Sequence, residues 1–183
     1  TASQEATILS TQQEKNSHLL EQKGVLQVSE TVELELKKHY LLELQAEKQY
    51  RTLALWARNK NLRGAALCFD KQALGEYTHA SWIENHLRIA GSPITNIPSL
   101  EETKTTVSSI KEAFLYALSM ERQLSIHIIK LRNLAREESN EYTVNFMNKV
   151  LIPEQIEEEE FLQKTLDVID HYLEDGNTVD LDK

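Results

Sequence analysis

Along most of this chain the apolar residues recur every three or four positions, the spacing of one face of an α-helix. Four such runs stand out. The first opens at Ser29, an N-cap residue with Glu33 close behind in the first turn, and extends to about Asn59. Its inward stripe reads Leu36, Tyr40, Glu43, Glu47, Tyr50, Ala54 and Ala57. The turn "RNKNLRG" leads to a second run, from about Leu62 to Ala90, with Phe69, Glu76, His79, Ile83 and Leu87 on one face and Gly91 at its end. "GSPITNIPS" then breaks the pattern with two prolines. A third run begins near Glu102 to Thr106 and reaches about Glu138, with Phe114, Ala117, Leu118, Glu121, Leu124 and Ile128 together. The turn "ESNEY" precedes a fourth, from about Tyr142 to Glu174, with the stripe Leu151, Gln155, Glu158, Leu162, Leu166 and Ile169. Pro153 lies inside this last run, where it removes a backbone hydrogen bond and predicts a kink.

The pattern predicts an all-α fold: a ferritin-like four-helix bundle of two hairpins joined by a long crossover between helices 2 and 3. Residues 29–176 form the bundle, residues 1–28 are a polar, loosely structured extension with a possible helical turn at "NSHLLEQ", and residues 177–183 are a short tail. Composition agrees. There are five Gly and three Pro, too few for a loop-rich or all-β chain. The net charge of −9 disfavours nucleic acid, whose phosphates need a basic surface, and suits attraction of cations. One cysteine, Cys68, excludes an intrachain disulfide framework and points to a reducing compartment. No run approaches the roughly 20 apolar residues of a membrane span. The expected location is the cytoplasm, or an organelle if a leader has been removed.

The polar residues on the inward stripes change the picture most. A Glu-x-x-His pair, Glu76 with His79, places two side chains on one helix face, but about one such pair is expected by chance in this composition. The other helices answer it. Glu43, Glu121 and Glu158 each sit near the middle of a helix on its buried stripe, so all four carboxylates can meet at one level. Unpaired charges in a dry core cost several kcal/mol each, and mutual repulsion adds to that. A bound divalent cation, or a pair, removes the conflict, and oxygen ligands with one imidazole suit iron or manganese. The fourth helix offers "PEQIEEEEF" with no His at ligand spacing from Glu158, so the arrangement is asymmetric.

The segments "LELQAEKQYRTLALWA", "RGAALCFDKQALGEYTHA", "YALSMERQ" and "PEQIEEEEF" resemble the four core motifs of the non-haem ferritins, over about residues 30–178. The resemblance implies a di-iron ferroxidase centre without haem. Glu43, Glu76 and His79 match the family's first iron site, with Glu76 bridging. Glu121 matches the second, Gln155 the glutamine beside it, and Glu158 an acidic ligand of many bacterial members. Tyr50 matches a tyrosine next to the centre that donates a hydrogen bond or an electron. Glu154 and Glu157 match two ligands of a third iron site found in some bacterial ferritins, but Gly75 stands where its glutamate is expected. Glu47 is an extra carboxylate that either compensates or lies in the outer shell. His39, His86, His127 and His171 have no partner at ligand spacing.

The implied chemistry is oxidation of Fe(II) by O2 or peroxide and deposition of Fe(III) in the cavity of a homo-oligomeric, twenty-four-subunit shell. "NTVDLDK" after Gly176 contains no fifth helix of the family's kind. The two positions that line the family's three-fold channel fall on Asn145 and Asn148, counting back from Gln155 without a gap, unless a shift brings Glu138 or Glu141 there. Two other readings stay open: a di-metal oxidase of an organic substrate, and a non-catalytic helical metal-binding module.

Overall fold

The computed structural model describes residues 26–174, with side chains to residue 172. The readings for the rest of the extension, including the turn at "NSHLLEQ", and for the tail lie outside these residues. The chain forms α1 (Glu30–Asn59), α2 (Arg63–Ile89), α3 (Ile110–Glu137), α4 (Glu141–Phe146), a π-helical segment (Met147–Leu151) and α5 (Ile152–Glu174). There are no strands among the described residues. α4, the π segment and α5 run on as the fourth rod of a bundle.

Local chemistry sets the helix ends. Ser29 caps α1 by accepting from the Val32 amide, a contact worth about 1 kcal/mol. Asn61 (φ 58), Gly91 (φ 81) and Ser139 (φ 56) adopt left-handed backbone after α1, α2 and α3. Each is followed by an amide that reaches back to an orphan carbonyl: Leu62 to Ala57, Ser92 to Leu87 and Asn140 to Ala135.

α3 starts later than the prolines alone suggest. Its cap is Ser109, which accepts from the Glu112 amide, and Glu112 reaches back to the Ser108 amide and hydroxyl. The crossover is correspondingly longer than expected. It is strapped along α1, where Gln45 and Gln49 each donate to and accept from its backbone, at Glu101 and Lys104 respectively.

α1 packs along α2, α3 along α5, and α1 across α3. The core falls into two apolar clusters at opposite ends of the rods. One holds Leu36, Ile83, Leu87, Ile128, Met147 and Leu151. The other holds Tyr50, Leu53, Phe69, Phe114, Leu162 and Ile169. Following each helix from one cluster to the other shows α2 and α3 parallel, as the long crossover requires, with α1 and α5 opposite to them. The π turn takes up the break that Pro153 forces: its i→i+5 bonds bridge the stretch where a proline without N–H interrupts the α-helical ladder.

Candidate metal centre

Between the two apolar clusters lies a layer of polar side chains, all buried but Glu158, which is partly exposed. Glu43 enters from α1, Glu76 and His79 from α2, Glu121 from α3, and Gln155 and Glu158 from α5. All lie near mid-rod, because the inward stripe of each helix crosses this level once. Glu76 and Glu121 are 0% exposed and Glu43 is 1% exposed. Ligand atoms of Glu43, Glu76 and His79 fall within 4.8 Å of one another, and so do those of Glu76, Glu121 and Glu158. Glu76 belongs to both triads. His79 Nδ1 is 3.5 Å from Glu76 Oε2 and 3.9 Å from Glu43 Oε2, and its Nε2 is 3.7 Å from Glu158 Oε1.

The two sides of the layer are satisfied differently. Glu121 accepts from the Tyr50 hydroxyl at 2.5 Å and from the Gln155 amide nitrogen at 2.7 Å, which also donates to the Glu121 carbonyl at 3.1 Å. Both oxygens of Glu43 and Glu76 and Oε2 of Glu158 are buried without a hydrogen-bond partner. Buried acceptors left so are rare and costly. Protons or cations are the partners that could satisfy these atoms, and the two triads are the places where cations could sit.

The electrostatics carry the same strain. Burial, then the charges of Glu121 and Glu43, push the Glu76 carboxyl far above its usual range. Burial and Glu121 push Glu158 up to about 8. Burial raises Glu121 too, although the hydrogen bonds from Tyr50 and Gln155 resist it. Burial opposes the charge on His79, but its contact with Glu43 and the charges of Glu158 and Glu43 outweigh that and raise it to about 9. Burial opposes Glu43 ionising as well. His39 and His79 overcome this and hold it well below the usual carboxylate range. Without a cation, the layer must therefore hold protons that a cation would expel.

Glu43, Glu76, His79, Glu121, Gln155, Glu158 and Tyr50 thus come together as the spacing predicts. The three weaker candidates do not join them equally. Glu47 is partly buried, pairs with Arg51 Nε at 3.1 Å and belongs to neither triad. Glu157 is exposed. Glu154 is partly exposed and approaches His79 Nε2 only to 4.0 Å. A Cβ at Gly75 would sit 3.5 Å from Glu158 Oε1, so that carboxylate lies against the glycine.

The sequence reading missed two histidines. His39, 0% exposed, places Nε2 2.9 Å from Glu43 Oε1, close enough for an ion pair but without hydrogen-bond geometry at either atom. Its Nδ1 meets Nδ1 of His127 at 3.0 Å, and Nε2 of His127 meets Glu35 Oε2 at 3.0 Å. His39 lies one turn before Glu43, an i, i+4 signal that was present in the sequence. His127 comes from α3, and nothing local announces it. His86 is also partnered, by the Thr143 hydroxyl at 3.0 Å and by stacking on Tyr142 and Phe146.

This fold and this carboxylate layer define a ferritin-like protein, and comparison with known proteins agrees. The family model described as "Ferritin-like domain" matches residues 33–171, and the chain belongs to that family. Among curated relatives, a bacterial non-heme ferritin of Staphylococcus saprophyticus is 29% identical over 139 residues, 75% of this chain and 81% of the relative. One from Staphylococcus aureus is 27% identical over 134 residues, 73% and 80% of the two chains. Among solved structures, the open pore ferritin of the archaeon Archaeoglobus fulgidus superposes with a TM-score of 0.76 at 21% identity, covering 79% of this chain and 88% of that one. An engineered closed form of the same ferritin gives 0.77 at 22%, covering 81% and 89%. No helix among the described residues is long and apolar enough to cross a membrane.

Proposed function

We propose that this chain is the subunit of an iron-storage ferritin that oxidises Fe(II) at the buried layer and passes Fe(III) to the cavity of a twenty-four-subunit shell. The observation that carries this reading is the pair of overlapping triads sharing Glu76, with both of its oxygens unpartnered. In this reading Glu43 and His79 hold one Fe(II), Glu121 and Glu158 hold a second, and Glu76 lies between them. Each Fe(II) gives one electron, and O2 or peroxide accepts the two.

The chain's own groups supply position and proton balance. Tyr50 and Gln155 fix Glu121 from opposite sides. Protons that His79 and Glu158 hold in the iron-free state leave as the cations enter. Glu158 and the partly exposed Glu154 make the α5 side of the layer the one that opens toward solvent, and Fe(III) leaves by that side. The asymmetry suits storage: the side without a histidine, where Glu158 is partly exposed, is the one from which the product leaves. A reducing cytoplasmic setting, where iron stays ferrous and Cys68 stays free, suits the same role.

Stopped-flow oxidation of Fe(II) by wild type and by Glu76→Ala tests the assignment. Fast oxidation in wild type and its loss in the variant are expected. Equal rates in both would remove Glu76, and with it the shared site, from the reaction.

A further inference from the structure

Glu35, His127, His39 and Glu43 form a string that leads from the partly exposed edge of α1 and α3 to the metal layer. Glu35 Oε2 is 3.0 Å from His127 Nε2, His127 Nδ1 is 3.0 Å from His39 Nδ1, and His39 Nε2 is 2.9 Å from Glu43 Oε1. The string has three contacts, but two neutral imidazole rings carry only two protons. The first two contacts have hydrogen-bond geometry. An ionised Glu35 can only accept, so His127 donates to it through Nε2, and its Nδ1 then accepts from the Nδ1–H of His39. Both protons are thereby used, and His39 Nε2 turns a lone pair toward a carboxylate oxygen. That third contact is the one without hydrogen-bond geometry, and both of its atoms are buried and unpartnered. His39 is 0% and Glu43 1% exposed, so bulk water does not reach them.

We propose that His39 Nε2 and Glu43 Oε1 form a third cation position, outside both triads, for a divalent transition ion that imidazole and carboxylate both suit, such as Fe(II) or Zn(II). Two facing acceptors need a cation between them, and the geometry favours a metal over a third proton. A shared proton requires the acceptor to lie close to the line of the N–H bond. A metal stands off the line between the two atoms: at about 2.1 Å from each, it meets a nitrogen and an oxygen 2.9 Å apart at close to a right angle, as neighbouring ligands of one ion do. The i, i+4 spacing of His39 and Glu43 is the spacing by which the two histidines of an H-E-x-x-H helix share one zinc. His39 belongs to neither triad. It faces Oε1 of Glu43, whereas Oε2 is the oxygen 3.9 Å from His79 Nδ1. Glu43 thus bridges the new position and the triad of Glu43, Glu76 and His79. Two protein ligands bind more weakly than three, so the position fills after the triads and gives up its ion first. It is a holding place for an incoming Fe(II), one carboxylate away from the layer. That role rests on reading the layer as the oxidation site; the position itself does not.

Crystals of the metal-free protein, soaked anaerobically in rising Co(II) and measured at the cobalt absorption edge, test this by position rather than by turnover. In wild type an anomalous peak is expected within about 2.3 Å of both His39 Nε2 and Glu43 Oε1, appearing at higher Co(II) than the peaks at the two triads. In His39→Leu that peak should vanish while the triad peaks stay. Occupied triads with no peak between His39 and Glu43 at saturating Co(II) would overturn the proposal, and so would a peak that persists in His39→Leu. The wild-type maps decide the matter by themselves if His39→Leu does not fold. A peak that fills before the triads would contradict the holding role. Failure of the underlying reading looks different: both triads would then stay empty, whatever appears beside His39.

Discussion

Glu76 and Glu121 are buried to the same degree, yet both oxygens of Glu121 accept hydrogen bonds and neither oxygen of Glu76 does. Glu121 is thus a structural member of the core with or without a cation. Glu76 is tolerable only when it is protonated or when a cation lies beside it. Metal-free Glu76→Ala should therefore be at least as stable as wild type, because the change removes repulsion from Glu121 and Glu43. Thermal unfolding in the presence of a chelator checks this. A loss of several kcal/mol would mean that Glu76 is held by contacts other than the proposed cation.

Hydrogen-ion linkage gives a second expectation, and the sign follows from two raised groups. Glu158, at about 8 when folded, binds more protons in the native state than in the unfolded state from the ordinary carboxylate range up to that value. Native stability therefore falls as pH rises through that window. His79, at about 9, contributes stability that is complete below its unfolded value and is lost as pH rises through the folded one. Metal-free protein should lose thermal stability from about pH 6 to 9. Zinc should reverse the trend, because it displaces these protons. The gain in unfolding temperature on adding zinc should grow with pH over the same range. A gain that stays constant would count against His79 and Glu158 as ligands.

Gly75 lies in the interior of α2, beside the layer. A methyl group there meets Glu158 Oε1 at 3.5 Å, an ordinary contact. Gly75→Ala should stabilise the protein by about 0.5–1 kcal/mol through helix propensity while leaving Fe(II) oxidation unchanged. Chemical denaturation and initial oxidation rates check the two halves. Slowed oxidation would show that the open space at Gly75 is itself used.

Much of this was legible in the chain, and the exceptions have physical causes. The caps Ser29 and Gly91 and the mid-helix carboxylates follow from spacing and local chemistry. The start of α3 was missed because Ser109 and Glu112 cap it after a stretch of residues with no strong breaker. Pro153 announces an interruption of the fourth rod, but its form, a π turn at Met147–Leu151, depends on how the rod packs. Glu47 shares the helical phase of Glu43, so periodicity places it inward. In the structure it pairs with the exposed Arg51 instead. The string behind Glu43 was half visible: His39 is one turn from it, whereas His127 arrives from 88 residues away.

The π turn also bears on iron entry. It shifts the helical phase between Gln155 and the residues before Met147, so the direction in which Asn145 and Asn148 face depends on it. Both are exposed, as is Lys149. If they line a three-fold channel of the shell, replacing them with Asp and Glu should speed Fe(II) oxidation at low ionic strength, and added salt should shrink the gain. No change in rate would place the channel elsewhere on the surface.

Storage itself is tested most directly by counting iron. Fe(II) is added aerobically in excess to the metal-free protein, and the iron that co-elutes with protein on size exclusion is measured per chain. An iron-storage ferritin retains far more than the about two ions that a di-iron site can hold, in a soluble particle much larger than a dimer. Uptake that stops at about two ions per chain, or elution as a monomer or dimer, would contradict the account.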